Sequence, residues 1–439
     1  MHENTRPWTE HDLHHNVIDL KPSATLWINE RSKKLSSEGR TIYRLGLGQS
    51  PFPVPPGVVA ALSVCSHEKD YLPVLGLPAL REAVRDRIER FEGIKRSADD
   101  VIIGPGSKEL IYMVQLALNA RLILPSPSWV SYAPQSMLLG RDVSWIETSW
   151  AQGLRLRPEE VETACLAYPG ERLIFILNTP NNPTGISYDE TELRAFAEVF
   201  RRFSVLVISD EIYSETHFEA GHISIARYYP EGTIISNGIS KWAGAGGWRL
   251  GWICAPQELS WLIKAMARIA SETFTSVSAP IQYAAILATE DSLEMENYLK
   301  KSQKLLGRLC EISTQRLQKA NIEVCESSGG FYLFISLENY REQLMSRGIS
   351  TGLDLAQTLL DEISVACLEG SHFGRGPEEL SLRLALVDFD GSSALEAIDG
   401  SEHITVMMLD RVIEAYCSKV IYAIELICSW LKDLSHDQR

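Results

Sequence analysis

The chain has 439 residues, 45% of them hydrophobic and 23% charged, a composition typical of globular proteins and a length that suits two or three domains. A formal net charge of −15 and a pI near 5.2 argue against a nucleic-acid partner, and no run reaches the roughly 18 uninterrupted apolar residues of a membrane span. Met1-His-Glu-Asn-Thr-Arg-Pro7 has no apolar leader, so a cytoplasmic location is expected, and the eight scattered cysteines, none in a C-x-x-C pair, read as reduced thiols.

In chain order, residues 1–18 form a tail too short to fold alone. Its His11-Asp-Leu-His-His15 cluster reads as solvated loop, and no metal site is assigned. Short apolar runs at 101–104, 121–124, 172–177, 205–209 and 233–236 read as buried strands. Segments 107–118, 188–202 and 256–270 carry apolar residues at helical spacing between them. That alternation predicts an α/β fold with a mostly parallel sheet, whose ligands lie at the carboxyl ends of the strands. From about residue 290 a long helical stretch is followed by strand-like pieces at 331–335 and 381–386, an acidic surface loop at 387–403 and a closing helix over 404–432. These predict a smaller α+β domain. The expected division is tail 1–18, 19–60 as the first part of the small domain, 61–300 as the large domain and 301–439 as the remainder of the small one.

Polar groups follow the strands where ligands are expected. Gly104-Pro-Gly106-Ser107-Lys108 opens a helix with free backbone N–H groups, a geometry that binds phosphate, and it lacks the spacing of a dinucleotide fingerprint or a P-loop. Pro125-Ser-Pro-Ser-Trp129 offers an aromatic face, and Asn182-Pro-Thr-Gly185 is a turn that can aim an amide. Asp210 ends a strand, with Tyr213 on the same face if 210–213 begins a helical turn. The glycine-rich Ser236–Gly251 stretch carries the amine of Lys241 and the guanidinium of Arg249. Lysine can form a Schiff base with an aldehyde, and arginine can grip a phosphate. Together these groups meet the needs of pyridoxal phosphate, which are an amine, an anion at the ring nitrogen, donors to the phenolic oxygen, a stacking surface and an anion cradle. Arg383 interrupts the apolar run Leu380-Ser-Leu-Arg-Leu-Ala-Leu386. A buried charge there implies a carboxylate partner, and a salt bridge within the chain explains it as well as a ligand does.

The order of these motifs resembles the class I/II, fold-type I pyridoxal-phosphate aminotransferases, close to the bacterial aspartate aminotransferase group. The resemblance runs from Lys21-Pro-Ser-Ala-Thr25 to the final helix. It implies a seven-stranded, mostly parallel sheet in the large domain, pyridoxal 5'-phosphate as cofactor, and an amino acid and a 2-oxo acid as substrates. It further implies that Trp129 stacks on the cofactor ring, that Asn182 and Tyr213 bond its phenolic oxygen and that Asp210 pairs with its nitrogen. Lys241 becomes the Schiff-base lysine, and Ser240 and Arg249 hold phosphate. Arg383, with Gly48 of Leu45-Gly-Leu-Gly48, binds the substrate carboxylate. Tyr71 is similar to a tyrosine that reaches the phosphate held by the other subunit, which implies a homodimer with shared active sites.

The implied reaction is ping-pong transamination. Lys108 matches a lysine that recognises a side-chain carboxylate, which favours aspartate with 2-oxoglutarate. Glu272 stands about where other members present an arginine to acidic side chains, which keeps an aromatic or broad-specificity aminotransferase as the alternative. A lyase or synthase on the same fold uses the same cofactor residues.

Overall fold

The computed structural model describes residues 8–18, 20, 24–219, 221–398 and 403–436. Lys21, Pro22 and Ser23 of the opening motif lie outside the described residues. The strands of the larger sheet are β1 (Val101–Gly104), β2 (Arg121–Ser126), β3 (Val143–Glu147), β4 (Leu173–Asn178), β5 (Leu206–Asp210), β6 (Thr233–Gly238) and β7 (Gly251–Cys254). They form one seven-stranded sheet in the order β1-β7-β6-β5-β4-β2-β3. Only β7 runs against its neighbours. Near-continuous burial along β1, β4 and β6 explains their unbroken apolar or β-branched runs, because helices cover both faces of such a sheet.

One face packs on helices α1 (Ser107–Ala117) and α3 (Ser260–Ser271), through Leu110, Ile111, Val114, Leu262, Ile263 and Met266. Helix α2 (Glu190–Arg202), between them in sequence, lies in a separate apolar cluster with β4. It starts at a capping box in which the Asp189 carboxylate accepts from Glu192 N, and it buries Leu193, Phe196, Ala197 and Phe200 at helical spacing. Strands β3 and β7 were absent from the sequence expectation. The first has the alternating burial of an edge strand rather than a continuous apolar run, and the second is four residues hidden behind a glycine-rich turn.

Helix α4 (Leu293–Lys319), capped by Ser292, runs unbroken through the anticipated boundary at 300. Beyond it, β8 (Glu323–Val324), β9 (Tyr332–Ser336), β10 (Leu368–Glu369) and β11 (Ser381–Ala385) form a four-stranded antiparallel sheet in the order β10-β11-β9-β8. The segment at 43–45 joins this part of the chain. Tyr43–Arg44 pairs in parallel with Val365–Ala366, and Ala385 N donates to Leu45 O at 2.8 Å.

Two expectations near the C-terminus are corrected. Part of the acidic segment 387–403 is a helix, Gly391–Ala397, capped by the Asp390 carboxylate and burying Ala394 and Leu395; residues 399–402 lie outside the described residues. Its acidity obscured those inward-facing residues. The single closing helix is two, α5 (Val406–Tyr416) and α6 (Ser418–His436), divided at Cys417. All eight cysteines are free, and no helix among the described residues is long and apolar enough to cross a membrane.

Candidate active site

Strand register brings the polar residues together. Asn178 of β4 lies opposite Asp210 of β5, which lies opposite Ser236 of β6, so three strands end in line. Gly104 and Gly238 both pair with Gly251, which draws the turn after β1 against the loop after β6. A Cβ on Gly251 would sit 2.5 Å from Ser107 N, and one on Gly106, whose φ is +92°, would sit 2.4 Å from an Arg249 guanidinium nitrogen. Only glycines admit this approach. Exposed Arg249 donates to Gly246 O at 2.8 Å and Pro105 O at 3.3 Å, beside the first turn of α1. The first-turn N–H groups of Ser107 and Lys108 lie beside that guanidinium, a cradle that can hold an anion, and Ser240 is half-buried in the adjoining loop just before Lys241.

Half-buried Lys241 donates from Nζ to Gly48 O at 2.6 Å and lies 5.7 Å from the Tyr213 ring centre and 5.8 Å from that of Phe331. Burial, then the positive charge of Arg383, lowers its pKa to about 8. Arg249 and Lys108 add to the fall, and Asp210 opposes it. The neutral amine fraction thus grows about tenfold per pH unit until about pH 8 and then levels off. Covalent loading of an aldehyde cofactor onto the cofactor-free protein is expected to accelerate in the same way, which stopped-flow absorbance at a series of pH values measures. A rate flat from pH 6 to 9 contradicts an amine titrating there.

The Asp210 carboxylate is 2% exposed. It accepts from the Tyr132 hydroxyl at 2.5 Å and from Ile212 N at 3.3 Å. Burial pushes its pKa up to about 6 in spite of these bonds, and neighbouring Glu211 pushes the same way. Tyr213 comes to the same centre without the α-helical turn expected of 210–213: it precedes a 3-10 turn, Ser214–Thr216. Its hydroxyl is 2.8 Å from that of Tyr332. The turn after β4 is held by Asn178 Oδ1, which accepts Asn182 N at 2.7 Å. Half-buried Trp129 carries Lys108 Nζ 5.0 Å from its ring centre, and the Tyr132 ring packs edge-on 5.1 Å away.

For Arg383 the structure removes one of the two expected carboxylates, that of a salt bridge within the chain. It is 2% exposed, and among the described residues it has none. Its guanidinium donates to Asn182 Oδ1 at 3.1 Å and Gly46 O at 2.6 Å, and it lies 4.6 Å from the Tyr332 ring centre and 5.1 Å from that of Phe373. Its Nε has no hydrogen-bond partner among the described residues. Burial lowers its pKa. A buried cation bonded only to neutral groups can receive an incoming carboxylate in a charge-assisted pair.

Thus Gly48, Asn182, Tyr213, Lys241 and Arg383 are joined through direct or shared contacts, and Gly106 and Arg249 meet at the cradle. Tyr71 stands apart on the surface, 91% exposed, and Glu272 lies exposed just beyond α3. Sequence reasoning missed Tyr132, Tyr332 and Gly46. Tyr132 follows Trp129 at the i+3 spacing that places side chains on one face. Tyr332 carried no signal beyond its place in an apolar strand. Among the described residues, the one group of three potential metal ligands is Glu92, Glu211 and His222, away from the tail histidines. Glu92 pairs with Arg227 and Glu211 with His222, which gives these buried charges partners inside the protein.

The family model for aminotransferase class I and II matches residues 40–391. An aspartate aminotransferase of Geobacillus stearothermophilus is 34% identical over 378 residues, covering 84% of this chain and 93% of its own length. An asparagine–oxo-acid transaminase of Streptococcus mutans is 28% identical, with 85% and 94% covered. Among solved structures, an aspartate aminotransferase from Thermus thermophilus with maleate is similar at a TM-score of 0.78 and 27% identity, with 92% of this chain and 98% of that one covered.

Proposed function

Because the chain belongs to the class I and II aminotransferases, we propose that it is an aspartate-preferring transaminase which uses pyridoxal phosphate and accepts 2-oxoglutarate. The observation that carries this reading is Arg383, a buried cation without an anion among the described residues, in a cluster with the depressed amine of Lys241. The residues fit the cofactor. A cradle that a Cβ would fill suits its phosphate, a buried carboxylate suits its ring nitrogen, and Asn182 and Tyr213 offer donors between them.

When bound, pyridoxal phosphate supplies the electron-accepting ring that makes an amino acid's α-proton removable and the carbon that carries the amino group between substrates. The protein supplies position and proton traffic. Arg383 and the Gly48 turn orient the α-carboxylate, turning a collision into a placed encounter. Lys241 Nζ, neutral above about pH 8, takes the α-proton. Asp210 keeps a negative charge where the ring nitrogen is protonated, and Trp129 excludes water from one ring face. Gly106, Ser107, Ser240 and Arg249 hold the phosphate, with Tyr71 of a second copy reaching it in a homodimer. In this reading 61–300 is the cofactor-binding domain, and 19–60 with 301–439 form the domain that brings Arg383 to it. A cytoplasmic site of action accords with eight free thiols.

Lys108 supports an acidic donor. Its ammonium projects over Trp129, close enough to Arg249 for that charge to help lower its pKa, second to desolvation. A screen of amino acids against 2-oxoglutarate, following oxo-acid formation, is expected to rank aspartate first. Ammonia or pyruvate release without transfer to any acceptor replaces the reading with a lyase. Arg249→Gln is expected to weaken cofactor affinity about 10- to 100-fold, the size of a lost charge-assisted phosphate contact, as measured by absorbance titration of the cofactor-free protein.

A further inference from the structure

Tyr332 joins the guanidinium of Arg383 to the hydroxyl of Tyr213. Strand β9 places it opposite Ala385 of β11, which makes Arg383, two residues away, its diagonal neighbour across the ladder. The Arg383 guanidinium carbon lies 4.6 Å from its ring centre, and its hydroxyl is 2.8 Å from that of Tyr213. The residue is 1% exposed, and a Cβ on Gly48 would stand 1.9 Å from its oxygen, so that oxygen is wedged against the Gly48 backbone to which Lys241 donates. Its position is therefore fixed from three sides.

Building on the aminotransferase reading, we propose that Tyr332 is a positioning residue that transmits the arrival of a carboxylate at Arg383 to the hydroxyl of Tyr213, and so to the cofactor oxygen that Tyr213 faces. A phenol has one proton, so only one of the two hydroxyls can donate along the 2.8 Å line between them. When Tyr213 turns its proton towards an oxygen of the cofactor, Tyr332 must supply the proton between them. The uncompensated charge of Arg383 beside its ring makes Tyr332 the stronger donor. A carboxylate that neutralises Arg383 removes that field, and the donor strength of Tyr332 falls. Substrate binding at one end of the site is thereby felt at the other without movement of the backbone. Asn182, which accepts from Arg383 at 3.1 Å, and the direct field of Arg383 at Lys241 offer parallel routes, so loss of Tyr332 should reduce the coupling without erasing it.

The test uses the cofactor-loaded enzyme without amino acid and succinate as a carboxylate that cannot react. In the wild type, saturating succinate is expected to move the pH midpoint of the visible absorbance by about one unit, a tenfold change in proton affinity. In Tyr332→Phe, which removes a single oxygen, the shift should fall to less than half. Gly48→Ala, which displaces the same hydroxyl from the other side, should also diminish it. A wild type that shows the band without a succinate shift, or a full shift retained in both variants, overturns the link. A wild type that never develops the band refutes the aminotransferase reading instead.

Discussion

Lys241→Ala is expected to lower transamination with aspartate and 2-oxoglutarate by at least about 10⁴-fold, because one side chain is both the covalent anchor for the cofactor and the base for the α-proton. The visible band of the loaded protein should disappear with it. The fold should survive. The ammonium is held by one hydrogen bond to Gly48 O, and it stands among the cations Arg383, Arg249 and Lys108 that depress its pKa. Removing it relieves like-charge repulsion in a half-buried place, so the cofactor-free variant should melt no lower than the cofactor-free wild type. Calorimetry on both proteins checks this, alongside the rate assay. Retention of the band with wild-type turnover would falsify the assignment, and a large fall in melting temperature would point to a structural role for the amine.

The legible part of this protein was the part whose physics is local. Buried parallel strands demand continuous apolar runs, so β1, β2, β4, β5 and β6 could be read from composition, and the polar residues at their ends followed from the rule for parallel sheets. Asp210 and Asn182 were singled out in this way, and Lys241 by its glycine-rich turn with Arg249. The two strands that were missed are those in which tertiary context decides: β3 has one face open to solvent, and β7 owes its place to the close approach of glycines 104, 238 and 251. Tyr332 and Tyr132 were invisible for a related reason. A tyrosine in an apolar strand or helix looks the same whether its hydroxyl is idle or meets Tyr213 or Asp210, and only the pairing of distant segments distinguishes the cases. Arg383 was conspicuous as a charge in an apolar run. What the sequence could not tell was that its neighbours are a carbonyl, an amide oxygen and two aromatic rings rather than a carboxylate.

That difference makes Arg383→Leu the second informative variant. A buried guanidinium facing a substrate carboxylate forms a bidentate, charge-assisted pair, and truncating one partner of such a pair costs about 2–5 kcal/mol. On that scale kcat/KM for aspartate should fall by about 10²- to 10³-fold. KM should carry most of the loss, because the carboxylate is bound both before and during proton removal. Discrimination between an amino acid and a simple alkylamine should collapse by a similar factor, since the amine never uses Arg383. A further measurement separates this role from a structural one. Saturating succinate should stabilise the wild type against unfolding, by about 2.7 kcal/mol at a hundred times its Kd, and leave the variant nearly unaffected. If Arg383 were only a structural tie between Gly46 and Asn182, the variant would lose stability in the absence of ligand and keep its response to succinate. The two outcomes run in opposite directions, so one pair of melting curves with and without the anion decides whether this buried charge belongs to the fold or to the substrate.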